Sequence, residues 1–221
     1  MIRGFFFLIA FVAGRLLIGD VIGQEKPSFD QAYVKVTEDR AEKIVQTLKI
    51  DDGELASRVK SLIAKQYQDL HDIHASRDEM LNRVKENTNG LSELERSNQA
   101  ERFKLESNEK QYRLHFAFLS KLAAELSHEQ IDKIKDGLTY NVLPNTYQYY
   151  LELYPALNAE QKRVLLSMLI EAREHAIDGG SSDEKHAWFG KYKGRINNYL
   201  SSAGFDAKEA ERLLKEKKKA K

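Results

Sequence analysis

Residues 52–86 read DGELASRVKSLIAKQYQDLHDIHASRDEMLNRVKE. Leu55, Val59, Leu62, Ile63, Leu70, Ile73, Met80 and Val84 recur every three or four positions, which lays them along one stripe of an α-helix. A half-buried strand would alternate instead, and no alternation occurs in this run. No glycine or proline interrupts it between Gly53 and the stop signal Asn87-Thr88-Asn89-Gly90. A helix this long cannot cover its own apolar stripe, so its partners must be further helices. The stretch therefore decides for an all-α protein.

The same pattern extends outward in both directions. Upstream of the break at Ile50-Asp51-Asp52-Gly53, Asp30 caps a helix running to about Leu48, with Tyr33, Val36, Ala41, Ile44 and Val45 on its apolar side. Downstream, Ser92 and Glu95 form a capping box for a third helix that reaches Leu126. Its first half, residues 93–113, is polar enough to project into solvent or to pair only with the preceding helix. Residues 52–126 thus predict a long N-terminal α-hairpin. The remainder predicts a compact C-terminal helical part, which completes a helical bundle. Ser127-His128-Glu129-Gln130 opens a short helix bearing Ile131, Ile134 and Leu138. Residues 137–155 are expected to be irregular or weakly helical, and their tyrosines 140, 147, 149, 150 and 154 to form a groove wall. Asn158-Ala159-Glu160-Gln161 starts a helix with Val164, Leu165, Met168, Leu169 and Ala172 facing inward, and Gly179-Gly180-Ser181-Ser182 ends it. The next helix should be its antiparallel neighbour, and Asp206 caps a last one.

Arg3 precedes an apolar run, residues 5–14, with the length of a signal-peptide core and too short to cross a bilayer. The small-residue rule favours cleavage after Gly23, with cleavage after Gly14 or an uncleaved anchor as alternatives, since Arg15 interrupts the apolar stretch. The expectation is a signal peptide over residues 1–23, a single domain over 24–221, and export to the periplasm or the extracellular space without a stable membrane span. Loss of Arg3, Arg15 and Asp20 leaves 33 basic and 33 acidic side chains. That balance argues against a nucleic-acid binder, whose affinity needs excess positive charge. Without cysteine there is no disulfide framework, and the fold must rest on its core.

Residues 185–199 are the most chemically specific block, holding the sole tryptophan beside tyrosines, basic residues, a histidine and asparagines. On a helical wheel Trp188, Tyr192, Arg195 and Tyr199 share one arc, Phe189, Ile196 and Leu200 the adjacent one, and Gly190 and Gly194 another side. One reading buries both arcs and uses the glycines for a close helix contact. The other makes an aromatic and basic ligand wall, because aromatic faces stack on sugar C–H faces while Asn, Arg and Lys donate to oxygen. The candidate ligand-binding residues are Tyr140, Tyr147, Glu174, His186, Trp188, Tyr192, Lys193, Arg195 and Asn198. Glu171, Glu174 and Asp178 should meet Lys185, Lys191, Lys193 and Arg195 across the antiparallel pair in a salt-bridge network. His71 and His74 lie three apart on a helix with Asp72, Asp78 and Glu79 nearby, a weak metal signal, and HExxH, GxSxG and P-loop motifs are absent. No catalytic residue, metal or cofactor is predicted.

Asp136-Gly137-Leu138-Thr139-Tyr140, the segment from Glu171 to Asp178, and Lys185 through Tyr199 with Gly204-Phe205-Asp206 resemble the DUF3826 family of exported bacterial proteins. The resemblance spans most of the chain after residue 23 and implies no established activity, though some members carry a loose sugar-binding label. Leu126-Ser127-His128-Glu129-Gln130 also resembles, over five residues, the Leu-Thr-x-x-Gln motif of small periplasmic helical chaperones of the Spy and CpxP kind, with Ser in place of Thr. Three functions follow as expectations. The first is a non-catalytic exported binder of carbohydrate or a related polar ligand. The second is a periplasmic partner- or client-binding module using the 52–126 hairpin. The third is a polysaccharide-processing enzyme using the acidic and basic residues of 171–195.

Overall fold

The computed structural model describes residues 30–86 and 90–219, so the signal-peptide reading of residues 1–23 lies outside the described residues. These form eight helices and no strand: α1 (Gln31–Gln46), α2 (Gly53–Glu86), α3 (Glu93–Ala123), α4 (His128–Leu138), α5 (Val142–Leu153), α6 (Ala159–Ala176), α7 (Ser182–Ser202) and α8 (Ala207–Lys219). Their starts are set by side chains that accept from otherwise unpaired N–H groups. Asp30 caps α1, Asp52 accepts from the amides of Glu54 and Leu55, and Asp206 accepts from Lys208 and Glu209. Reciprocal capping boxes open α3 (Ser92 with Glu95), α4 (Ser127 with Gln130) and α6 (Asn158 with Gln161).

The apolar stripe of α2 packs against α1 and α3 in a first core. Ala41, Val59, Ile63, Leu122 and Ile134 are fully enclosed there. Each of the valine, leucine and isoleucine side chains contributes about 1.5–3 kcal/mol over its exposed state, before the entropy of ordering it. A second core lies among α5, α6, α7 and α8, around Leu165, Leu169, Phe189, Tyr192, Ile196 and Leu200. Helix α4 joins the two. Its Ile131, Ile134 and Leu138 face the first core, while Asp132 and Asp136 bind the guanidinium of Arg173 on α6 at 2.5 and 2.8 Å. Ile177, at the end of α6, inserts into the first core.

Two expectations are corrected. The segment after Gly137 is a regular helix, α5, because Pro144 sits in its first turn, where no intrahelical N–H is required. Tyr150 and Tyr154 stack 6.4 Å apart and are buried, with the Tyr150 hydroxyl donating to Asn197 Oδ1 at 2.8 Å. They fill core instead of walling a groove. Gly190 and Gly194 make no close helix contact: a Cβ built on either meets nothing within 4 Å.

Candidate functional site

The turn between α6 and α7, Asp178-Gly179-Gly180, wedges against the α2–α3 hairpin. A Cβ on Gly180 would lie 2.6 Å from the His74 ring, and one on Gly179 would lie 2.9 Å from Lys185 Cγ. The two glycines are therefore required by close approach as well as for stopping α6. His74 Nε2 lies 2.8 Å from the Asp178 carbonyl oxygen, which can only accept, so this nitrogen carries the proton. His115 Nδ1 on α3 lies 2.9 Å from Asp178 Oδ2. The other carboxylate oxygen, Asp178 Oδ1, is buried without a hydrogen-bond partner among the described residues, as is His74 Nδ1.

Above this turn opens a cleft of about 630 Å³. Helix α2 contributes His74 and Arg77, and α3 contributes Asn108, Gln111 and Tyr112. The α6–α7 pair supplies Glu174, His175, Asp178, Glu184, Ala187, Trp188 and Lys191. The Trp188 indole is half-buried and stacks on the His175 ring at 4.3 Å and 13°, with the Lys191 ammonium 4.9 Å from its centre. The cleft carboxylates are already engaged. Glu174 pairs with Lys135 at 2.8 Å, and Arg77 spans Asp78 at 2.8 Å and Glu184 at 3.4 Å. Glu184 also accepts from the Gly180 amide at 2.7 Å. Among the described residues no group of three or more His, Asp or Glu side chains is placed to hold a metal ion. The cleft offers amide and guanidinium donors, carboxylate acceptors and two aromatic surfaces, a set suited to a polar ligand with some apolar faces.

Of the residues singled out in the sequence, Glu174 and Trp188 meet in this cleft. Tyr140 and His186 stack on each other at 5.5 Å on the other side of the Gly179-Gly180 turn. Tyr192 is 1 % exposed and belongs to the second core; burial, then the hydrogen bond and charge of Glu171, raise its hydroxyl pKa. Tyr147 packs half-buried against the same core. Arg195 is exposed over the Tyr192 ring at 4.6 Å and reaches Glu171 at 4.0 Å, Lys193 borders a shallow hollow with Tyr149, and Asn198 is exposed. Among the described residues, the expected network across α6 and α7 is thus an ion pair at Glu171 and Arg195, with Asp178 acting on Lys185 electrostatically. Glu174 turns to α4, Asp178 to α3, and Lys185 is buried with its ammonium donating to the Leu138 carbonyl at 2.9 Å.

Of the residues that α2 and α3 contribute, the sequence singles out His74, as a weak metal signal; Arg77, Asn108, Gln111 and Tyr112 do not stand out in it. Their signal was nonetheless there: Asn108, Gln111 and His115 are spaced to share one face of α3, as His74 and Arg77 are on α2.

Fold and site together define an all-helical protein with two packed cores and a polar cleft at their junction. The chain belongs to the DUF3826 family, described as a protein of unknown function, whose match covers residues 34–220. No curated protein matches the sequence.

Proposed function

We propose that this protein is exported and binds carbohydrate, or a related polyhydroxylated ligand, in the cleft between the α2–α3 hairpin and the α6–α7 turn, without turning it over. The observation that carries the reading is the cleft itself: about 630 Å³ in which Trp188 and Tyr112 present ring surface among Asn108, Gln111, Arg77, Lys191 and carboxylates. Sugars need both kinds of partner, since their hydroxyls donate and accept while their C–H faces lie against aromatic rings. Binding is favoured over hydrolysis because Glu174, Asp178 and Glu184 are already paired with Lys135, His115 and Arg77. The apolar run of residues 5–14 supports export.

Calorimetric titration with a panel of neutral and acidic oligosaccharides tests the proposal. A saturable heat that is lost in Trp188→Ala and weakened about tenfold in Arg77→Gln is expected, the latter corresponding to one charge-assisted hydrogen bond. Absence of saturable binding across the panel would remove the reading.

A second function, partner binding through the hairpin, is favoured by one feature. Leu94, Leu105, Tyr112 and Phe116 are all at least half exposed and lie on one face of α3, at intervals of eleven, seven and four residues. Suppression of client aggregation by the wild type, and its loss in Leu105→Ser with Phe116→Ser, would support that alternative. Equal behaviour of the wild type and an inert control protein would eliminate it.

A further inference from the structure

Across the Gly179-Gly180 turn from the cleft lies a second cavity, of about 250 Å³, bordered by α1, α2, Tyr140 and the start of α7. Its described lining carries two cations, Arg40 and Lys185, and no carboxylate. Lys185 is 5 % exposed, and its bond to the Leu138 carbonyl uses one of its three N–H donors. The Lys185 ammonium and the Arg40 guanidinium lie 5.5 and 5.8 Å from the centre of the same Tyr67 ring. Among the described residues neither cation forms an ion pair with a carboxylate at 4.0 Å or less. Asp178 is the acidic group that acts on Lys185 electrostatically, and its Oδ2 is engaged by His115.

Two like charges over one ring, one of them buried, repel each other and cost free energy unless an anion joins them. Burial lowers the Lys185 amine to about 8; Asp178 opposes it, and Arg40 adds a smaller push in the same direction as burial. Tyr67, Tyr140, Ser181 and Ser182, each with a hydroxyl, border the same space. Tyr140 is held at φ 58°, in the left-handed region, and is followed by Asn141 at φ 55°. For a residue with a bulky side chain this conformation costs about 1–2 kcal/mol. Tyr140 is 49 % exposed and borders the cavity.

We infer that this cavity is an oxyanion-binding site, in which Lys185 and Arg40 pair with a phosphate, sulfate or carboxylate group while tyrosine and serine hydroxyls donate to its remaining oxygens. An adjoining cavity of about 530 Å³ shares Arg40, Tyr67 and Tyr140 and adds Lys43, with Lys133 paired to Glu129 and Asp136 to Arg173, so the body of a larger anionic molecule has room there. The site does not depend on the carbohydrate reading: the two cavities have Gly179 in common and no cation.

Isothermal titration at pH 7 with sodium sulfate, against sodium chloride at equal ionic strength, reads the site directly. The wild type and the surface control Lys104→Gln should bind sulfate saturably, and Arg40→Gln and Lys185→Met at least tenfold more weakly. Arg40 is exposed, so Arg40→Gln carries the test even where loss of the buried lysine disturbs folding. Glucuronate with glucose as its neutral control distinguishes the sources: tighter sulfate binding assigns a tetrahedral ester, tighter glucuronate binding a sugar carboxylate. Saturable binding of neither anion, or equal affinity in the wild type and Arg40→Gln, would overturn the inference.

Discussion

Lys185 shows how one side chain couples the site to stability. Its folded amine, lowered chiefly by burial, releases its proton near pH 8, whereas the unfolded chain releases it near 10.5. Below pH 8 both states are charged and the burial penalty is constant. Between these values the unfolded chain holds more protons, so this group makes stability rise with pH. Tyr67 and Tyr150, raised by burial from 10 to about 12, act in the opposite sense. From pH 10 to 12 the unfolded chain loses protons that the fold retains, and stability falls. The urea midpoint should therefore rise above pH 8 and decline above pH 10, and Lys185→Met should abolish the rise while leaving the decline. A flat wild-type profile from pH 7 to 10 would refute the assignment.

The glycines separate by the same residue-scale reasoning. Gly180→Ala places a methyl 2.6 Å from His74 and should cost about 1–3 kcal/mol, as overpacking does. Gly190→Ala enters open space inside α7 and should stabilise by about 0.5–1 kcal/mol. Chemical denaturation of the two variants checks both signs. The sequence showed where all these glycines stand but not which faced a neighbour, because contact is a tertiary property.

Among the elements, helix starts were the most legible feature, since a capping box is chemistry local to four residues. Ser92 with Glu95, Ser127 with Gln130 and Asn158 with Gln161 all cap as their spacing implies. Helix α5 was not legible. Its Pro144 and clustered tyrosines read as irregular chain, and burial of Leu143, Tyr150 and Leu153 in the second core makes a helix the stable choice. Helix α4 carries a consequence invisible in its own sequence, because Asp132 and Asp136 neutralise Arg173, which is 4 % exposed. Arg173→Ala leaves Asp136, 19 % exposed, without its partner at the seam between the cores, while Asp132, 57 % exposed, stays solvated, and should destabilise by about 1–3 kcal/mol, the cost of an unsatisfied partly buried group. A loss below 1 kcal/mol in thermal or urea unfolding would show that the seam does not depend on it.

At the scale of the molecule, the all-α architecture and the long hairpin follow from periodicity, and membership of the DUF3826 family covers nearly all the described residues. The cleft does not follow from any one segment. It exists because the Gly179-Gly180 turn docks on His74 and brings α6 and α7 against faces of α2 and α3 that look solvated in isolation. Trp188 stands out in the sequence as the sole tryptophan and Glu174 as one of an acidic set before the turn, whereas Asn108, Gln111 and Arg77 are ordinary surface residues until the docking is known. The central claim is that this cleft receives a polyhydroxylated ligand. Trp188 is the sole tryptophan and lines it, so iodide quenching of its fluorescence reports on the cleft alone. Quenching in the free protein, with saturable protection by an oligosaccharide that is lost in Glu174→Gln, is the predicted result; quenching unchanged by every sugar tested would contradict the account.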